Sequence, residues 1–260
     1  MIDITVTVIF HREGAYAIPA LSSMRLLTDR ARASGLNVEA RAVMDRPDDM
    51  TLKIVAERGN WLDGIEEVSF GDLGLSRNAG IDSAQGRFLS FLDGDDLWGE
   101  DWLVNAYRAA TLTEEASKAI WHPQYLYYFS ADDFDRHSVN DQPHPAAGSF
   151  HFVHHPSNSK GFDRNALFLE NLYSANGFAL KKLHLKYPYK KKDTATGFGV
   201  EDWSWNIETI HAGVHHQVVA DTVHLIRLKN IGSLGIQNGV EGLLPHLPDN
   251  AFPTFGQVTH

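Results

Sequence analysis

Cysteine is absent from the 260 residues of this chain, which excludes disulfide cross-links, thiolate zinc sites and a cysteine nucleophile together. Long hydrophobic runs are absent too, and no stretch reaches the eighteen or so apolar residues of a membrane-spanning helix. The opening Met1-Ile2-Asp3-Ile4-Thr5 leads straight into a strand pattern, without the basic and long apolar regions of a signal peptide. A soluble, cytoplasmic protein is the expectation. Positive charge is scarce: 23 Lys and Arg stand against 33 Asp and Glu, a formal net charge of -10, so the broad electrostatic grip needed for nucleic acid is missing. One local concentration remains, Lys181, Lys182, Lys186, Lys190, Lys191 and Lys192, interleaved with Tyr187 and Tyr189. It reads as a solvated loop or as an edge attracting an anionic acceptor, which leaves peripheral membrane contact open.

What is present is a repeated alternation of strand and helix patterns. Ile4 to Phe10 is β-branched and apolar enough for a buried strand, and Ala20, Leu21, Met24, Leu27 and Ala31 then share one face of a helix closed by Gly35. Val38 to Met44 reads as a second strand, Asp48 to Arg58 as a helix, Ile65 to Phe70 as a third strand, Leu75 to Gln85 as a helix and Arg87 to Leu92 as a fourth strand. This alternation predicts one α/β domain with a mostly parallel sheet flanked by helices. Ligands in such sheets sit beyond the carboxyl ends of strands, where Asp45 and Asp93 fall. A helix from Glu100 and an aromatic strand from Ile120 to Phe129 follow. The periodicity breaks over 131–165, which carries Pro143, Pro145, Gly148 and Pro156 with His137, His144, His151, His154 and His155, as a long functional loop or lid would. Beyond it a helix from Glu201 to Ala212, two short strands around Val218 and Val223, and a surface-wrapping tail with Pro245, Pro248 and Pro253 are expected.

The chemistry concentrates in Phe91-Leu92-Asp93-Gly94-Asp95-Asp96. Alternation along an extended chain would point Asp93 and Asp95 to one side, two hard oxygen ligands suited to a divalent cation held against a diphosphate. An acidic turn capping the next helix is the competing reading. His151-Phe152-Val153-His154-His155 invites a zinc site but lacks a clear third partner, so acceptor contact or a solvated loop is preferred. Trp98, Trp102, Trp203 and Trp205 flank the acidic motifs; sugar stacking and core packing both suit them, with packing expected for at least half.

The run Gly74-Leu75-Ser76-Arg77-Asn78-Ala79-Gly80, then Ala84-x-Gly86, then the strand and Asp93-Gly94-Asp95-Asp96, closely resembles the signature of glycosyltransferase family two. This spaced match from Gly74 to Asp96 is far more specific than Asp-x-Asp alone. The resemblance implies a GT-A (Rossmann-like) fold with an elaborated C-terminal acceptor region. Residues 1–98 would form the nucleotide-sugar-binding half, and 99–260 the acceptor half and tail of the same domain. It implies a short polar donor loop at Phe10-His11-Arg12-Glu13 and a base-reading acid at Asp45, although Asp45-Arg46-Pro47-Asp48 replaces the family's frequent Asp-Asp-Gly-Ser. Arg77, Asp93, Gly94 and Asp95 would also face the donor. Gly197-Phe198-Gly199-Val200-Glu201-Asp202-Trp203 looks like the family's Glu-Asp motif, making Asp202 the catalytic base and giving Glu201 an orienting role; plain capping of a helix is the alternative. His224, within Val223-His224-Leu225-Ile226-Arg227-Leu228, is similar to a family position that returns to the metal, which with Asp95 and Asp93 would hold Mn²⁺ or Mg²⁺. The implied activity is inverting transfer from a nucleotide-sugar donor, UDP first among the options, to a saccharide or lipid-linked glycan acceptor. A sugar nucleotidylyltransferase and a non-catalytic nucleotide-sugar-binding module are the alternatives.

Overall fold

The computed structural model describes residues 1–130, 150–229 and 234–248. Its centre is a nine-stranded sheet. The strands are β1 (Ile4–Phe10), β2 (Val38–Asp45), β3 (Gly64–Val68), β4 (Phe88–Asp93), β5 (Leu97–Trp98), β6 (Ala119–Ser130), β7 (Phe150–Val153), β8 (Phe178–Leu180) and β9 (His215–Leu228). Their order is β3-β2-β1-β4-β8-β6-β9-β5, with β7 beside β6. Strands β1, β2, β3, β4, β6 and β9 all run one way, and β5, β7 and β8 run against them, so the sheet is mostly parallel as the alternation predicts. One consequence governs the site: the carboxyl ends of those six strands lie along one edge.

Every residue of β1 is buried, because helices cover both faces of the strand, and this is why the sequence shows a continuous apolar run there rather than alternation. On one face Ile4, Val6, Val8 and Phe10 pack with α1 (Ala17–Ala33), α2 (Asp49–Arg58) and α4 (Trp102–Thr111). On the other, Ile9, Val43 and Phe91 pack with α3 (Leu73–Ser83), α5 (Lys181–Lys186) and α6 (Glu201–His211). A short α7 (Leu234–Val240) precedes a tail pinned to the start of α6, where Ser204 accepts the His246 N–H at 2.9 Å. Trp98, Trp102 and Trp205 belong to the two cores, as expected for most of the tryptophans. Among the described residues no helix is long and apolar enough to cross a membrane.

Three expectations change. The two short strands around Val218 and Val223 are one long strand, β9, paired in parallel with β6 on both sides of an irregularity between Val219 and Val223. Asp221 takes a positive φ of 58° in its middle, which breaks the apolar pattern, but Gln124 bridges the irregularity by donating its N–H to Thr222 Oγ1 and accepting the Asp221 N–H. The loop reading of 131–165 also fails at its end, since Phe150–Val153 is a strand and His154 is buried; His137 and His144 lie outside the described residues. Finally, much of the lysine run is engaged within the chain. Lys181 donates to the Ala84 carbonyl at 2.7 Å, Lys190 pairs with Glu208 and Lys192 with Glu241.

Candidate active site

The acidic segment leaves β4 at the carboxyl edge and turns sharply, the Asp96 N–H donating to the Asp93 carbonyl at 3.1 Å. Glycine is required inside this turn: a Cβ on Gly94 would lie 2.4 Å from the Phe10 ring and 2.7 Å from the Ile9 carbonyl oxygen. The turn overrides the alternation argument. Instead of converging, the three carboxylates fan out to three different partners. Asp93 accepts from Arg77 at 2.7 Å, Asp95 meets the Lys229 ammonium, and Asp96 lies 3.1 Å from His224 Nε2 while accepting the Arg227 N–H at 2.9 Å. Burial pushes the Asp96 carboxyl up to about 6. His224 therefore buttresses Asp96 from within the β5–β9 pairing instead of joining Asp93 and Asp95, and among the described residues no three His, Asp or Glu side chains form a metal-binding group.

Arg77 is almost wholly buried and reaches Glu201 at 2.5 Å as well as Asp93, so its guanidinium ties the acidic turn to the start of α6 rather than facing a donor. The same stretch of α3 grips the 189–192 segment. Asn78 accepts the Tyr189 N–H and donates to the Tyr189 carbonyl, and Asp72, which caps α3 through the Leu75 N–H, accepts the Lys192 N–H at 2.8 Å. Gly74 permits the approach, since a Cβ there would sit 2.7 Å from the Lys190 carbonyl.

Glu201 and Asp202 open α6, whose N-cap Val200 provides no side-chain bond. Asp202 is half-buried; one oxygen accepts the Trp203 N–H at 2.8 Å and the other accepts from Asn171 at 2.9 Å. Burial raises its carboxyl above the ordinary range, with Arg77 opposing, and pushes Glu201 up to about 7. Tyr128, near the carboxyl end of β6, shares this environment: burial, then the charges of Asp96 and Asp202, push its phenol up to about 12.

On the N-terminal side, His11 and Arg12 are exposed just beyond β1, and Glu13 accepts the His11 N–H at 2.5 Å. Burial and the neighbouring Asp95 push Glu13 up to about 7, against the His11 bond. Phe10, by contrast, is fully buried beneath Gly94 and offers no side chain to a ligand. Asp45 is 4% exposed, and its oxygens accept the Gly71 N–H, the Asp72 N–H and the Ser76 hydroxyl, so it shapes the turn into α3 instead of presenting a free carboxylate to a base.

A model of the family described as "Glycosyl transferase family 2" matches residues 5–138, just over half of the chain. The chain belongs to glycosyl transferase family 2. Solved structures of similar fold agree with this. S. aureus TarS 1-349 superposes with a TM-score of 0.57 at 18% identity, covering 87% of this chain and 60% of that one. The same TarS fragment in complex with UDP-GlcNAc gives 0.59 at 16%, covering 88% and 59%. The mannosyltransferase PcManGT from Pyrobaculum calidifontis, in complex with GDP-Man and Mn2+, gives 0.54 at 16%, covering 88% and 58%. The present chain thus spans about 60% of the length of these structures. No curated protein sequence matches it. The GT-A fold implied by the motifs is the fold observed.

Within this family member the sequence reading misses Asp72, Asn78, Asn171 and Lys229. Lys229 was findable, because the rule that singles out Asp45 and Asp93 at strand ends applies equally to the end of β9. The other three act on backbone or side chains about 30 to 120 positions away, which no local pattern signals.

Proposed function

We propose that the chain transfers a glycosyl unit from a nucleotide-sugar, a UDP-sugar first among them, to a saccharide acceptor with inversion at the anomeric carbon. The observation that carries this reading is the placement of Asp202. It stands half-buried at the start of α6, one oxygen held by Asn171, and is linked through Glu201 and Arg77 to the acidic turn at the carboxyl edge of the sheet. Support for the donor comes from TarS and PcManGT, whose structures hold UDP-GlcNAc and GDP-Man.

In this reading residues 1–98 hold the donor. His11, Arg12 and Glu13 form a polar rim around it, and Asp93, about one-third exposed beside Arg77, takes a ribose hydroxyl. Asp202 accepts the acceptor hydroxyl proton as that oxygen attacks the anomeric carbon and the nucleoside diphosphate leaves from the opposite side. Its raised pKa makes it a stronger base than a free aspartate, and Asn171 and the Trp203 N–H fix its orientation. Lys229, on Asp95, places a positive charge beside the leaving diphosphate.

Asp95 is the carboxylate that would hold a divalent cation, once the Lys229 ammonium moves off it, since Asp93 is committed to the buried Arg77 and Asp96 to His224. One carboxylate suffices when diphosphate oxygens and water complete the shell of Mg²⁺ or Mn²⁺. When bound, such an ion neutralises charge on the departing diphosphate.

Asp202→Asn tests the assignment. It keeps the size of the side chain and, with its one amide oxygen, a single one of the two accepting bonds to Asn171 and Trp203, but removes the proton acceptor. Turnover is expected to fall about 10²- to 10⁴-fold with donor affinity nearly unchanged. Near-normal transfer by this variant would reduce Asp202 to a helix-start residue.

A further inference from the structure

A cavity of about 370 Å³ opens between β7 and the 159–173 segment. Its walls are aromatic and aliphatic, from Phe152, Phe162, Leu172 and Tyr173, with His155 and Asp163 as polar groups. The walls are fixed. Tyr173 donates its hydroxyl to the His155 carbonyl at 2.6 Å, and its ring lies 6.1 Å from that of Phe162 at an interplanar angle of 30°.

The cavity is also tied to the reacting centre. Asn206 follows Asp202 by one helical turn on the same face of α6, and its amide donates both to Asn171 Oδ1 and to the Tyr173 carbonyl at 2.9 Å. Asn171 in turn donates to Asp202. Trp203 donates its indole N–H to the Leu167 carbonyl at 2.6 Å, locking the 167–173 segment to the same helix. The cavity walls at Leu172 and Tyr173 thus directly follow Asn171, the residue that holds Asp202, and are tied to the same helix.

We infer that this cavity binds the sugar unit next to the one that reacts, so that the acceptor is a neutral saccharide of at least two units. The inference rests on Asp202 as the base. Aromatic and aliphatic walls suit the C–H faces of a sugar ring, while His155 and Asp163 can pair with its hydroxyls. Charge selects against a lipid-linked diphosphate, because the described lining carries the Asp163 carboxylate and no lysine or arginine.

The test uses the full chain saturated with UDP. Methyl glucoside, methyl N-acetylglucosaminide and methyl mannoside are titrated against cellobiose, chitobiose, maltose, lactose and mannobiose, with binding followed by saturation-transfer NMR; farnesyl diphosphate is the anionic lipid probe. At least one disaccharide is expected to bind about tenfold more tightly than its methyl monosaccharide, the equivalent of one good ring contact. Phe162→Ala should erase that advantage, as should Phe152→Ala, whose ring is 36% exposed and whose loss threatens the fold least. UDP affinity should be unaffected in both. No disaccharide advantage, an advantage that survives both substitutions, or tighter binding of farnesyl diphosphate would each overturn the inference. UDP release from UDP-sugars separates the two levels: if it persists when the cavity result is negative, only the subsite fails, and if it is absent together with UDP binding, the proposed function fails.

Discussion

Arg77 shows how residue type and residue role part company. An arginine in a donor-binding motif suggests a phosphate partner, yet here the guanidinium is buried between Asp93 and Glu201. Nothing near position 77 in the sequence points to Glu201, which lies 124 residues away. The chemistry of a bidentate cation is legible, but its choice of carboxylate over phosphate is set by tertiary packing. Removing one member of a buried ion pair leaves the others uncompensated, so Arg77→Gln should cost about 3–5 kcal/mol of unfolding free energy in denaturant titrations. The activity that survives should also shift. The guanidinium lowers the pKa values of Asp202 and Glu201 against the pull of burial, so its loss raises them and moves the acid limb of the kcat/KM profile to higher pH. Unchanged stability together with an unmoved limb would mean that the bridge is incidental. His184 carries a second residue-scale expectation. Its ring stacks on Trp205 at 5.1 Å and meets Phe91 edge-on, neither ring nitrogen has a hydrogen-bond partner among the described residues, and burial depresses its pKa to about 3. The unfolded chain takes up a proton near pH 6.5 that the folded chain refuses, so stability from this site is present above 6.5 and is lost as pH falls toward 3. His184→Phe should therefore stabilise more at pH 5 than at pH 7.5, by a margin of about 2 kcal/mol. An equal gain at the two pH values would show that His184 takes up no differential proton.

At the scale of elements, the acidic turn depends on how closely β1 and β4 approach at their carboxyl ends. Gly94→Ala would drive a methyl group into the Phe10 ring and the Ile9 carbonyl, a clash of backbone with core rather than with a flexible side-chain tip. Overpacking of this kind costs about 1–3 kcal/mol. Asp95 would be displaced with the turn, so a lowered melting temperature and a raised donor KM are expected together. A melting temperature equal to that of the parent chain would show that the turn relaxes without cost. The strand-helix alternation through β4 was legible because each element there carries a clean period or an unbroken apolar run. Legibility falters at β7 and β8, too short to carry a period of their own, and again at β9, where Asp221 interrupts the pattern and its cross-strand partner Gln124 carries the pairing past it. The helix carrying Asp202 was readable from its acidic start, whereas the Asn171 and Asn206 contacts that orient this acid arise from tertiary packing.

For the molecule as a whole, buried titratable groups of opposite sense are spread around one continuous sheet. His154 and His216 are held neutral by burial, at about 4 and about 3, while Glu13 and Glu201 are pushed up to about 7. The histidines withdraw stability as pH falls below 6.5. The carboxyls withdraw it as pH rises through the interval from their unfolded values to about 7, so the two slopes oppose each other in mildly acidic solution. The joint between the early strands and α6 is of a different kind. Asp72, Gly74 and Asn78 meet the main chain at Lys192, Lys190 and Tyr189, whereas Arg77 depends on the identity of its distant partner, Glu201, and Phe91 on the apolar side chains packed around it. Contacts made to a backbone do not care which side chains that backbone bears. A chimera that grafts the later residues of one relative onto the early strands of another thus has two demands to meet at this seam, an arginine facing an acid and apolar side chains that fit around Phe91, while its remaining polar contacts are met by any backbone that follows the same path.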